Sequence, residues 1–214
     1  MKLLATACTL TLLTLMPAYA ETVPDTTKIE APAGNYNIDP SHATLIFKLN
    51  HLGFSNYTAR FTGVDANLKF DPKNPKASSV NATIDANSLT LDNPPPGFTD
   101  ELRGDKWLDT KKYPKITFVS KSVDVTGANT GRITGDLTLH GKTHPVTLET
   151  TFNGGYAGHP MDPHARIGFS AHGVFKRSDF DIAFGIPPAG STMGVGDEVT
   201  VIIEAEFTGP ALKK

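Results

Sequence analysis

Alternation with a period of two constrains this chain more than any other feature. Ala43, Leu45, Phe47 and Leu49 alternate with Thr44, Lys48 and Asn50, broken only by Ile46. Seven later runs follow the same rule: Leu68–Phe70, Val80–Ala86, Ile116–Phe118, Ile133–Leu139, Val146–Phe152, Ile167–Phe175 and Val199–Phe207. Successive side chains of a strand point to opposite faces, so each run has one face to bury and one to wet. That is the pattern of antiparallel sheets. Eight such runs predict an all-β domain, either a closed barrel or a two-layer sandwich. Turn residues separate them: Asp71-Pro72, Gly127-Ala128-Asn129, His140-Gly141, Asn153-Gly154-Gly155 and Gly194-Val195-Gly196-Asp197. One stretch departs from the rule. Asn93-Pro94-Pro95-Pro96-Gly97 is a stiff polar hinge that no strand interior accommodates. The segment Thr99–Leu108 after it is expected to form a short helix, with Thr99 as N-cap and Asp100 and Glu101 at the positive end of the helix dipole. Leu102 and Trp107 then pack back on the sheet or cover a barrel mouth.

The N-terminus reads differently. Lys2, an apolar run Leu3–Met16 and Ala18-Tyr19-Ala20 have the layout of a signal peptide over residues 1–20, cleaved before Glu21. The run is shorter than the roughly 20 residues a spanning helix needs. Residues 21–34 mix charge, Thr and Pro without periodicity and are expected to be a flexible leader, with one domain over 35–210. The expected location is the periplasm, and no later segment is apolar and long enough to span a membrane. The only cysteine, Cys8, leaves with the signal, which excludes a disulfide and a Cys-based zinc site. With 20 Lys+Arg against 22 Asp+Glu the charge is too even for a nucleic-acid binder with a basic surface.

Signs of catalysis are weak. The seven His include two pairs around turns, His140/His144 and His159/His164, but no ordered His and carboxylate set supports a metal site. Gly168-Phe169-Ser170-Ala171-His172-Gly173 has a nucleophile-like look. Yet His172 stands where a nucleophile elbow needs Gly, and no strand-turn-helix context surrounds it. No catalytic residue is therefore assigned. Arg177, Asp179 and Asp181 form a charged cluster, either holding a ligand's polar head group or closing the barrel end as an ion pair. The inward stripes mix small residues (Ala59, Gly63, Ala82, Ala86, Gly135, Ala171, Gly173, Ala205) with phenylalanines. An eight-stranded barrel is just wide enough to be filled by side chains or to hold one ligand. Composition leaves both open.

The order of motifs narrows the choice. Tyr36-Asn37-Ile38-Asp39-Pro40-Ser41-His42 opens the domain, followed by His51-Leu52-Gly53-Phe54-Ser55, Arg60-Phe61-Thr62-Gly63 and Leu68-Lys69-Phe70-Asp71. Next come Asp100-Glu101-Leu102-Arg103, Trp107-Leu108-Asp109 and Lys112-Tyr113-Pro114-Lys115-Ile116-Thr117-Phe118. Gly135–Gly141, Pro145–Leu148, Lys176–Phe180 and Val195–Val199 complete the series. In this order they resemble the YceI-like family of exported polyisoprenoid-binding proteins, from about Tyr36 to Phe207. Leu108 stands where the family often has an aromatic residue, and Asp181 where a Gly is usual.

The resemblance implies an extended, eight-stranded antiparallel lipocalin-like barrel with one short helix. It also implies a periplasmic binding or carrier protein, not an enzyme. Its ligand would be an isoprenoid lipid (an isoprenoid quinone or a polyprenyl chain) or another long-chain amphiphilic lipid, held in an apolar cavity. No cofactor is expected beyond that ligand. The expected wall residues are Phe47, Leu49, His51, Phe61, Phe70, Trp107, Phe118, Leu139, Phe169, Ala171, Phe175 and Arg177. The alternative is a stress-response or structural barrel with a filled core that acts through its surface. Dimers are common in the family, and Ile46, Val119, Val174 and Ile202 interrupt the polar faces of their strands. A homodimer through such a patch is expected.

Overall fold

The computed structural model describes residues 31–211. The expected signal peptide and most of the expected leader lie outside the described residues. Ten strands make up the domain: β1 (Gly34–His51), β2 (Ser55–Phe61), β3 (Val64–Phe70), β4 (Ser79–Asp85), β5 (Leu89–Leu91), β6 (Lys115–Val125), β7 (Thr130–Leu139), β8 (Lys142–Tyr156), β9 (His164–Lys176) and β10 (Val195–Ala211). One helix, α1 (Phe98–Arg103), follows the proline hinge. All pairings between strands are antiparallel. Eight strands run in the order β1-β3-β4-β6-β7-β8-β9-β10, and β10 returns to β1 to close the barrel. The expected eight-stranded barrel is therefore present, with β2 and β5 as additions.

Strand β1 makes this arrangement possible. Its first residues, Gly34–Asn37, pair with β3, whereas Leu45–His51 pair with β2. Between the two halves the register with β10 shifts from Ile38 to Ala43. Pro40 lies in this interval and has no N–H to give to a ladder, which suits an irregular segment. On the far side of β2, β5 adds three residues and ends the sheet. The Arg103 guanidinium covers that edge by donating to the Asn87 and Leu89 carbonyls at 2.8 and 3.0 Å.

Several local expectations need correction. Asn153-Gly154-Gly155 is not a turn. It lies inside β8, where the pairing with β9 skips a residue between Phe152 and Gly154. Gly154 takes φ 133° at this bulge, a conformation essentially reserved for glycine. Val195-Gly196-Asp197 likewise belongs to β10, so only Gly194 of that group lies outside a strand. Helix α1 ends at Arg103, short of Leu108, because the Gly104 N–H turns back to the Glu101 carbonyl. Its N-cap is Gly97 in the left-handed region rather than Thr99. The His140-Gly141 expectation holds: both residues have positive φ, 51° and 75°, as a type I′ hairpin turn requires.

The lower end of the barrel is closed by packing. Tyr36 is fully buried against Phe70, and its hydroxyl donates to the Pro32 carbonyl at 2.7 Å. Burial pushes this phenol up to about 12. Ala31 is buried beside it, so the described end of the expected leader is packed. Nearby, Arg166 spans Asp39 on β1 (2.8 Å) and Asp162 before β9 (2.6 Å). Hydrogen bonds from Ser41, Arg166 and His42 hold the Asp39 carboxyl far below the usual range, and bonds from Tyr156 and Arg166 hold Asp162 at about 2.

Candidate functional site

Inside the barrel lies a cavity of about 780 Å³. Its floor is a set of phenylalanines in mutual contact. Phe70 and Phe152 stack at 5.9 Å, and Phe169 meets Phe152 edge to face at 5.3 Å and Phe207 at 6.1 Å. Above them the wall is aliphatic, with Leu68, Val80, Ile84, Leu137, Val146, Leu148, Val201 and Ile203 pointing inward from five strands. At the upper end His51, Tyr57, Pro95, Phe98, Leu102, Trp107 and Val195 surround the space. The lining also includes Pro72 and Pro75 from the β3–β4 connection and Val123, Val125 and Gly127–Gly131 from the β6–β7 hairpin.

Of the twelve expected wall residues, eleven line this cavity: Phe47, Leu49, His51, Phe61, Phe70, Trp107, Phe118, Leu139, Phe169, Phe175 and Arg177. Ala171 does not. It packs among the core residues beside Thr150 and Ile203, its register partners, and its methyl is too short to reach the lumen past them. The small inward residues divide in the same way. Ala59, Ala82 and Ala205 border the cavity. Gly135 and Gly173 instead make room for large neighbours: a Cβ at Gly135 would stand 2.5 Å from the Phe118 ring, and one at Gly173 2.8 Å from Leu148. Here the filled-core reading is locally correct, because the missing side chain is replaced by an adjacent one.

Tyr57 and Phe98 are wall residues that the twelve omitted. The alternation Tyr57, Ala59, Phe61 was available in the sequence and marks β2. Nothing in the sequence points Phe98 inward. Its position comes from the hinge and from edge-to-face contact with Tyr57 at 6.1 Å.

Arg177 is 2 % exposed and takes part in no ion pair with Asp179 or Asp181. It donates to four main-chain carbonyls, those of Gly196 (2.9 Å), Ile182 (2.8 Å), Phe184 (2.9 Å) and Val195 (2.8 Å). The guanidinium also lies 5.3 Å from the centre of the Trp107 ring. Burial lowers its pKa without removing the charge of so strong a base. Its role is to pin the irregular 181–195 segment across the barrel mouth. Asp181 pairs with Lys142 at the surface and adopts φ 60°. That left-handed position is natural for Gly and tolerated by Asp, which accounts for the residue usual there in the family.

The other chemically suggestive residues face outward or serve packing. Ser170 donates to Glu204 and accepts from Asn153 on the outer surface, and His172 is exposed. His140 and His144 frame Phe180: a His140 ring nitrogen lies 3.0 Å from its carbonyl, and the His144 ring meets its ring at 5.2 Å. No group of three His, Cys, Asp or Glu side chains converges among the described residues. No helix among the described residues is long and apolar enough to cross a membrane.

Comparison with known proteins agrees with this architecture. The YceI-like domain matches residues 36–207. The protein YceI of Escherichia coli is 40% identical over 180 residues, covering 82% of this chain and 87% of the relative. Among solved structures, BcnA of Burkholderia cenocepacia superposes with a TM-score of 0.66 at 28% identity, over 79% of this chain and 98% of the other. A polyisoprenoid-binding domain from Saccharophagus degradans, implicated in plant cell wall breakdown, shares the fold with a TM-score of 0.61 at 15% identity, over 82% and 98% of the two chains. A closed barrel around an apolar lumen, with the family's motifs in order along it, makes this chain a member of the YceI-like family.

Proposed function

We propose that this protein is a periplasmic carrier that binds an isoprenoid lipid, a quinone or a polyprenyl chain, along the axis of its barrel. The observation that carries the reading is the continuous apolar cavity, about 780 Å³, running from the phenylalanine floor to the Trp107 end. A dry cavity of about 150 Å³ accepts one benzene, or roughly 25 Å³ per carbon. On that scale 780 Å³ takes about thirty carbons, or six five-carbon units. Each unit withdraws roughly 3–4 kcal/mol of apolar surface from water. Association costs of about 4–15 kcal/mol are thus exceeded after several units. A smooth hydrocarbon wall suits the repeated branched chain, and the polyisoprenoid-binding domain of the same fold supports this choice of ligand. The competing reading, a filled barrel acting only through its outer surface, has no use for such a volume.

Organic extraction of freshly purified protein followed by mass spectrometry tests the proposal. A prenyl lipid near one per chain is expected. Extracts without lipid, together with no uptake of added prenyl lipid, would refute it.

A further inference from the structure

We propose that the charge-free end of the barrel, formed by Leu52–Asn56, Pro94–Phe98 and Ala183–Gly194, is a face that docks on a lipid bilayer. The three segments contain no Asp, Glu, Lys or Arg, in a chain whose residues are 20% charged. They meet in space. The Leu52 N–H donates to the Gly194 carbonyl at 2.9 Å, the Val195 N–H to the Gly185 carbonyl at 2.8 Å, and Phe98 reaches the β2 side through Tyr57. Large apolar side chains project from this end: Phe54 is 81 % exposed, Met193 70 % and Phe184 46 %. Of the other exposed apolar side chains, Val119 and Val174 stand on the barrel wall, Val125 ends β6, and Met161 lies in the β8–β9 loop. Phe54 belongs to one of the sequence motifs, yet it touches neither the cavity nor the core.

Three features favour a bilayer over a protein as the occupant. The cavity extends to this end, where Tyr57, Pro95, Phe98, Trp107 and Val195 border it, so a lipid leaving a membrane here stays in apolar surroundings. Pro94, Pro95, Pro96, Pro187 and Pro188 have no N–H, which lowers the cost of placing bare loops among head groups. The rim carries both signs, with Lys106 above the Phe184 ring at 5.2 Å and Asp105 next to it in sequence. Anchoring therefore relies on apolar insertion rather than on attraction to anionic lipid. The choice of partner rests on the proposed lipid ligand; the geometry of the face does not.

The test is co-sedimentation with phosphatidylcholine vesicles, using the chain from Glu21 onward so that the apolar N-terminal run does not itself partition. Binding is expected at low salt and is expected to persist at high salt. Phe54→Ser should weaken it about tenfold or more, and Met193→Ser should weaken it further. Val119→Ser on the wall, away from any surface assigned to binding, should leave it unchanged. Uptake of prenyl lipid dispersed from ethanol, measured separately, should be the same in Phe54→Ser as in the unaltered protein. No vesicle binding, or binding indifferent to Phe54 and Met193, overturns the docking face. So does a result in which Phe54→Ser only converts a dimer to a monomer, which would make this end an interface between copies. Vesicle binding that depends on Phe54, with no prenyl lipid ever retained, would sustain the docking face and defeat the carrier reading.

Discussion

Replacing Ala82 with tryptophan puts the cavity to a quantitative test. Ala82 lies on β4 between Ala66 and Phe118 in register, and it packs against both the upper and the lower core clusters. It therefore borders the waist of the lumen. Tryptophan adds about nine non-hydrogen atoms, which at roughly 25 Å³ each occupy about 225 Å³, more than a quarter of the 780 Å³ available. Room for about two five-carbon units disappears, worth roughly 7 kcal/mol of gross apolar transfer at about 0.8 kcal/mol per CH₂. Even if the chain recovers half of this elsewhere, affinity falls more than about a hundredfold. Stability should barely change, because the indole enters a void. In a filled barrel the same residue overpacks the core at about 1–3 kcal/mol, lowering the melting temperature by roughly 2–4 °C for each kcal/mol. The assays are thermal melting and the amount of prenyl lipid retained after purification. Phe169→Ala, which removes part of the floor, should lose stability in either case. A well-folded Ala82→Trp protein with its full complement of lipid would refute the assignment of the waist, and a collapsed one would refute the cavity.

Four further outcomes are expected. Arg177→Met leaves four mouth carbonyls without their donor, costing on the order of 3 kcal/mol in denaturant unfolding and speeding proteolysis within 181–195. Asp39 and Asp162 have folded pKa values below their unfolded value of about 3.9. Their contribution is complete above that value and is lost as pH falls from there toward 2. The melting temperature should drop across this window, and less so in Asp39→Asn/Asp162→Asn. Intact mass of the exported protein should begin at Glu21, and a mature chain retaining Cys8 would contradict the export reading. Light scattering should show a homodimer at tens of micromolar, on the order of ordinary association constants, and Ile202→Lys should dissociate it. The patch consists of Ile46 directly opposite Ile202, with Val174 on the diagonal; Val119 lies on β6, away from it.

The strands were legible because period-2 alternation is a direct imprint of a sheet with one buried face. β2 was harder to see, since Tyr57, Ala59 and Phe61 form a brief stripe, and β5 has only three residues. What misled was chemistry shared by different structures. Asn153-Gly154-Gly155 reads as a turn, yet the same freedom of Gly154 serves a bulge inside a long strand. The cavity wall was mostly legible from inward phenylalanines. Whether a small residue opens the lumen was not, because this depends on neighbours across the sheet. Ala82 opens it, while Gly135 is covered by Phe118 and Ala171 is hidden beside Thr150. Arg177 stands out in the sequence as part of a charged cluster, but the main-chain carbonyls it serves in place of an ion pair leave no mark there.

The pairing of β1 with β10 also sets the order of events in folding. Asn37 bonds opposite Thr208, and Leu49 opposite Val199, so the first strand of the barrel waits for the last. Hairpins such as β6–β7 and β7–β8 form from near neighbours, but the ring closes only across almost the entire domain. Such distant contacts slow folding and leave strand edges exposed meanwhile. Until residues near Thr208 have emerged from the ribosome, β1 and β9 are both open templates for a foreign strand. Loss of β10 would leave β1 and β9 as two unpaired margins, and aggregation rather than a smaller barrel would be the result.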